Sequence, residues 1–231
     1  MYRRARRNFL SCGGGVILRR VSDPGESSSA HLLAQPGVQR VPSPRLELFV
    51  RKGFLEPALS LALIERIDAE RRPSTLADPN GDNYFRTSET CDLDPVDPVV
   101  AALETKLRLM TGIDPAYGEP AQGQRYAQGQ EFKPHTDYFD TVGADFERYT
   151  RVAGQRTWTF MIYLNAVEAG GATRFKAIDK TIRPEPGKLL AWNNRFPDGT
   201  PNPATLHHGM KVRKGVKYIV TKWYREKPWG W

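Results

Sequence analysis

KPHTDYFD, residues 133–140, places His135 and Asp137 two positions apart in a chain with only four histidines. In extended backbone alternate side chains share a face, so an imidazole nitrogen and a carboxylate oxygen at this spacing can reach one metal ion. Joined by a second histidine, such a pair occupies one face of an octahedron and leaves three positions for reactants, while zinc could use the same ligands for hydrolysis. The other histidines are His31, in a polar stretch near the start, and the adjacent His207 and His208, at the head of a late strand-like run. The spacing alone fits equally well a surface histidine beside a turn-capping aspartate.

Bringing residues 135 and 207 together requires a framework that lays remote segments side by side. From Gln122 onward, alternating, β-branched and aromatic runs (QRYAQGQEF, RTWTFMIYLNAV, ATRFKAI, KTIRP, GKLLAWNN, HHGMKV, VKYIVTKWY) are separated by Gly, Pro or Asn. They predict the short strands of a β-sandwich or barrel. Upstream, LELFVRKGF (46–54) predicts a strand. Residues 56–72 predict a helix, with Pro57 in its first turn, Leu59, Leu63, Ile64 and Ile67 at helical spacing, and Pro73 as its stop. Asp97-Pro98 opens a second helix over 97–111, with Val99, Leu103, Leu107 and Met110 on one face and Gly112 beyond its end.

Charge excludes one class of partner. The formal charge is +8, but residues 1–20 hold six arginines and no acid, leaving 28 basic against 26 acidic groups in the remainder. A near-neutral domain is not a nucleic-acid groove. No window approaches the roughly 18 apolar residues of a membrane span. Two cysteines, Cys12 and Cys91, are too few for a disulfide framework and imply a reducing, cytoplasmic setting. RRNFLSCGGGVIL (6–18) resembles an export signal weakly, since three glycines dilute its apolar run. Residues 1–40 are therefore expected to be a flexible leader, 41–114 an N-terminal helical support region and 115–231 the core.

The order of motifs extends the reading. RYAQGQEFKPHTDYF, RTWTFMIYLNAVEAGGATRF and TLHHGMKVRKGVKYIVTKWYRE, with FRTSETCDL upstream, resemble the conserved blocks of the prolyl 4-hydroxylase branch of the iron(II)/2-oxoglutarate-dependent dioxygenases, from Tyr84 to Glu226. The resemblance implies a mainly β (α+β) fold, a double-stranded β-helix or jelly-roll braced by N-terminal helices. It implies His135, Asp137 and His207 as iron ligands, with His208 a neighbour. Lys217 and Tyr126 would meet the distal carboxylate of 2-oxoglutarate, Thr159 and Trp223 would line its pocket, and Arg156 would contact substrate. A lysine there has a physical reason: a carboxylate entering an apolar pocket needs a fixed cation to offset its desolvation.

The implied cofactors are Fe(2+), 2-oxoglutarate and O2, with L-ascorbate expected to keep the metal reduced. The implied reaction hydroxylates a C–H bond and releases succinate and CO2. Asp137 favours hydroxylation over halogenation, and Lys217 argues against the nucleic-acid demethylases. The expected partner is a peptide or protein substrate carrying a prolyl residue, with no nucleic acid and no membrane. Phe132 and the GMKV stretch depart from the family pattern and keep a free amino acid or small metabolite open as substrate. A non-catalytic jelly-roll that binds a ligand is a third reading, and oligomeric state is not legible.

Overall fold

Eight strands of one antiparallel sheet and four of a second form the frame of this computed structural model, which describes residues 26–74, 85–142 and 144–230. In chain order the strands are β1 (Val38–Arg40), β2 (Leu48–Arg51), β3 (Arg72–Pro73), β4 (Glu89–Asp92), β5 (Gln122–Tyr126), β6 (Phe132–His135), β7 (Arg156–Tyr163), β8 (Ala169–Gly170), β9 (Thr173–Phe175), β10 (Lys180–Ile182), β11 (Leu189–Asn193), β12 (His207–Gly209), β13 (Val212–Lys214) and β14 (Lys217–Arg225). The helices are α1 (Glu26–Ala34), α2 (Pro57–Glu70), α3 (Pro98–Thr111) and α4 (Ala144–Thr150). The major sheet runs β1-β2-β11-β7-β14-β5-β4-β3 and the minor sheet β10-β9-β12-β6, with β8 and β13 paired apart.

The two faces of the major sheet explain its central strands. Along β7, Trp158, Phe160 and Ile162 pack with α2 and α3, while Met161 and Tyr163 face the space between the sheets. A strand buried on both sides reads as a near-continuous apolar run, as RTWTFMIY does. Polar residues in such a run need a partner or a purpose; on β7 these are Thr157 and Thr159, both fully buried.

Helix α3 begins and ends where the sequence says, whereas α2 stops at Glu70, two residues short of the expected 72, because Arg71 is extended and Arg72–Pro73 pair as β3. Asp97 caps α3 by accepting from the Val99 N–H at 2.7 Å, and Gly112, at φ 66°, closes it with its N–H on the Arg108 carbonyl. Val100, Leu103, Leu107 and Met110 are its buried face, each contributing about 1.5–3 kcal/mol of burial. Val100 takes the place expected for Val99, which is half-buried.

The expected leader is folded from residue 26 onward. Within it α1 places Leu32 in the core, and the His31 ring Nε2 lies 3.1 Å from the Leu109 carbonyl at the end of α3. β1 pairs with β2 in register Val38↔Arg51. The expected helical support region also supplies β2, β3 and β4 to the major sheet. Residues 1–25, with the arginine cluster and Cys12, lie outside the described residues. Among the described residues no helix is long and apolar enough to cross a membrane.

Candidate active site

β6 and β12 are adjacent in the minor sheet, with His135 directly opposite His207. Asp137 follows β6 by two residues, so the three side chains converge from two segments that are remote in sequence. One ligand atom from each of His135, Asp137 and His207 lies within 4.8 Å of the others. His135 Nε2 and Asp137 Oδ1 are 3.8 Å apart, a separation that an ion between them would bridge.

The tautomers are set by the backbone. Nδ1 of His135 lies 2.7 Å from the Lys133 carbonyl and Nδ1 of His207 2.9 Å from that of Thr205. A carbonyl only accepts, so each Nδ1 carries the proton and each Nε2 keeps its lone pair for a metal. Phe132 stacks on His135 with centroids 3.5 Å apart, and Trp192 packs at 4.9 Å from His207, fixing both rings. Burial lowers the pKa of both histidines, which favours the neutral, ligating form. Burial alone would raise Asp137, but its neighbours, Arg156 and the Thr159 hydroxyl among them, outweigh it and lower the pKa of the carboxyl. This buried donor set, two neutral imidazoles and one carboxylate with a free face toward a pocket, fits a ferrous ion.

The pocket is lined by the three candidate ligands together with Tyr126, Lys217, Trp223 and the apolar Met161, Trp192 and Ile219. Lys217 is 1% exposed; its Nζ sits 4.5 Å from the Tyr126 ring centroid, and among the described residues it has no carboxylate partner. Burial pulls its pKa down to about 7. A buried, unpaired lysine on a pocket wall is a costly arrangement that an incoming anion would relieve. The Tyr126 hydroxyl donates to Gln124 Oε1 at 2.7 Å. Its one proton must move to an alternative acceptor for Tyr126 to donate to a ligand.

Neither Thr159, expected in the pocket wall, nor Arg156 is among the residues lining the pocket. Thr159 sits behind Asp137 and donates to its Oδ2 at 2.7 Å. Arg156, expected to meet substrate, is committed to Glu119: Nε and NH2 donate to the two carboxylate oxygens at 2.7 and 2.8 Å, and NH1 donates to the Asp137 carbonyl at 3.3 Å. Its guanidinium also covers the Trp223 ring at 4.0 Å. His208 points away from the pocket to Glu131, 2.9 Å from Oε2. Glu119 and Asn194 were not legible beforehand, because each acts through a partner remote in sequence and has no local motif.

The family model for the 2OG-Fe(II) oxygenase superfamily matches residues 121–225. Prolyl 4-hydroxylase 13 of Arabidopsis thaliana is 31% identical over 201 residues, covering 78% of this chain and 71% of that protein. Prolyl 4-hydroxylase subunit alpha-3 of Mus musculus is 31% identical over 207 residues, 87% of this chain but 38% of that subunit, so the chain spans little more than a third of it. Among solved structures, a viral collagen prolyl hydroxylase from Paramecium Bursaria Chlorella virus-1, in its 2OG complex, superposes with a TM-score of 0.62 at 26% identity, covering 77% of this chain and 95% of the viral one.

Proposed function

Because the chain belongs to the prolyl 4-hydroxylase-like branch of the 2OG-Fe(II) oxygenase superfamily, we propose that it is an iron(II)- and 2-oxoglutarate-dependent dioxygenase that hydroxylates a prolyl residue in a peptide or protein. The observation that carries this reading is the convergence of His135, Asp137 and His207 on one wall of a pocket whose lining includes the buried Lys217, which has no carboxylate partner among the described residues. Zinc hydrolysis has no evident role for that lysine.

When bound, ferrous iron and 2-oxoglutarate supply the activation of O2 that converts a C–H bond to C–OH, with succinate and CO2 as co-products. The protein's part is placement. The two Nε2 atoms and Asp137 Oδ1 would hold the metal. Lys217 would neutralise the distal carboxylate of 2-oxoglutarate as a point charge, and Tyr126 would turn its hydroxyl proton toward the same group. Phe132, Met161, Trp192 and Ile219 keep water from the reacting centre. The Glu119 carboxylate neutralises Arg156, whose guanidinium covers the ring of Trp223, a residue of the pocket wall.

The test is succinate release by the purified protein with Fe(2+), 2-oxoglutarate and ascorbate, together with mass spectrometry of proline-containing peptides and free amino acids. A gain of one oxygen on a peptide is expected. Oxygen gain on a free amino acid alone would move the substrate to the metabolite class, and no succinate under any substrate would overturn the enzyme.

A further inference from the structure

Asn194 is fully buried at the end of β11, and its side-chain Oδ1 has no partner. Its Nδ2 donates to Thr159 Oγ1 at 2.9 Å, and Thr159 Oγ1 donates in turn to Asp137 Oδ2 at 2.7 Å. Three residues from three separate segments thus form one directed chain ending on the carboxylate that faces the metal position. Turning the amide over would leave its NH2 group orphaned and make two oxygens compete for the one threonine proton. The observed orientation is the one that serves the carboxylate. An unpaired amide oxygen in a sealed interior is a cost that packing does not explain.

We infer that Asn194 and Thr159 are positioning residues that hold Asp137 as a one-oxygen metal ligand, a role that rests on the metal-centre reading above. A hydroxyl has one proton, and with a lone pair of Thr159 engaged by Asn194 that proton is directed to Asp137 Oδ2. Oδ2 is then bonded, and Oδ1, the atom 3.8 Å from His135 Nε2, is left as donor. Without the chain, the carboxylate is free to rotate and chelate through both oxygens. A second carboxylate oxygen would fill one of the three positions that 2-oxoglutarate and O2 require. Thr159 therefore acts behind the pocket wall, and Asn194 acts only through Thr159.

The experiment measures Co(2+) binding to the full chain by calorimetry and by its visible spectrum, in the absence of oxygen and 2-oxoglutarate, for wild type, Thr159→Val, Thr159→Ser, Asn194→Leu and the Thr159→Val/Asn194→Leu double variant. Thr159→Val is expected to weaken Co(2+) by about 10- to 100-fold, the range for losing a partner behind a ligand, and to shift the spectrum. Thr159→Ser, which keeps the hydroxyl, restores both. Asn194→Leu weakens binding less, and the double variant matches Thr159→Val alone, because the asparagine has no route except the threonine. Wild-type affinity and spectrum in a folded Thr159→Val protein would overturn the inference, as would multiplying effects in the double variant. A wild-type chain that binds no Co(2+) would overturn the metal centre itself, a result separable from the others because it appears before any substitution. Should Thr159→Val fail to fold, the Thr159→Ser and Asn194→Leu pair decides: equal loss in both overturns the inference, and loss confined to Asn194→Leu supports it.

Discussion

His135 and His207 stand directly opposite one another across the β6–β12 ladder, their ring centroids 4.2 Å apart. Strand register, more than any local motif, brings the two imidazoles to one point, and a shift of one residue in β12 would present His208 instead. His208 is already engaged by Glu131 on the other side of that strand.

Removing either imidazole should therefore abolish metal binding. His135→Ala and His207→Ala are expected to lose Co(2+) affinity by more than about 100-fold, beyond the loss typical of a supporting partner, while His208→Ala retains it. Burial holds both histidines below the ordinary histidine value, so protons would compete with metal only on the acid side of 6.5. Calorimetric titration from neutral into acid should show affinity holding near neutrality and falling below that value.

Glu119 joins β14 to the strand that follows Asp137. It accepts from Arg156 and, at 2.9 Å, from Arg225 NH1. Glu119→Gln leaves two buried guanidiniums short of an anion, and a loss of about 3 kcal/mol in urea melts is expected. Burial alone would raise the Glu119 carboxyl, but Arg156 and Arg225 outweigh it and the net shift is below 4.5. The unfolded chain therefore takes up this proton first: the stabilisation is complete above 4.5 and is lost as pH falls through the lowered value. The variant should show a flatter decline of stability in acid.

What was legible in the sequence follows from how each residue acts. Metal ligation demands particular side chains, and the short spacing marked His135 and Asp137 as a candidate pair, whereas His207 and Lys217 were expected only from the family resemblance of the segment they lie in. Asn194 and Glu119 could not be named in advance, because Asn194 reaches Thr159 only through the β11–β7 pairing, in which Trp192 lies opposite Thr159. Arg156 was visible as a residue, yet its occupation by Glu119, far off in sequence, was not. Helix α1 escaped notice because ESSSAHLLA is mostly polar and gains its place through few contacts, above all Leu32. Strand type in β7 and β14 was plain, since burial on both faces leaves an apolar run.

Lys222, on the helix-facing side of β14, is a second buried lysine with the opposite solution. Its side chain is 4% exposed and its Nζ lies 2.7 Å from Glu104 on α3. Breaking such a pair leaves one charge uncompensated, so Lys222→Met should cost about 3–5 kcal/mol, while Lys222→Met with Glu104→Leu should recover most of it. Equal stability of the single and double variants would deny that the pair is coupled. A Cβ at Gly118 would come within 2.5 Å of Lys222 Cε, so Gly118→Ala should displace the lysine and destabilise by the same route.

Lys217, in contrast, has no anion of its own among the described residues, and its burial carries a signature in pH. Its pKa falls from 10.5 to about 7 in the folded chain. Between those values the unfolded chain binds a proton that the folded chain has released. Stability without 2-oxoglutarate should consequently rise as pH increases from about 7 toward 10.5. Lys217→Met should remove that rise, read from urea melts on the two proteins. The same linkage governs the ligand: 2-oxoglutarate meets a charged lysine, so above about 7 its binding must take up a proton. Its affinity should weaken by up to about tenfold per pH unit there, and calorimetry in buffers of different ionisation enthalpy should register the uptake. Lys217→Met should bind 2-oxoglutarate far more weakly and without this pH dependence. An unchanged 2-oxoglutarate affinity in that variant would remove Lys217 from the site and leave the buried cation without a function.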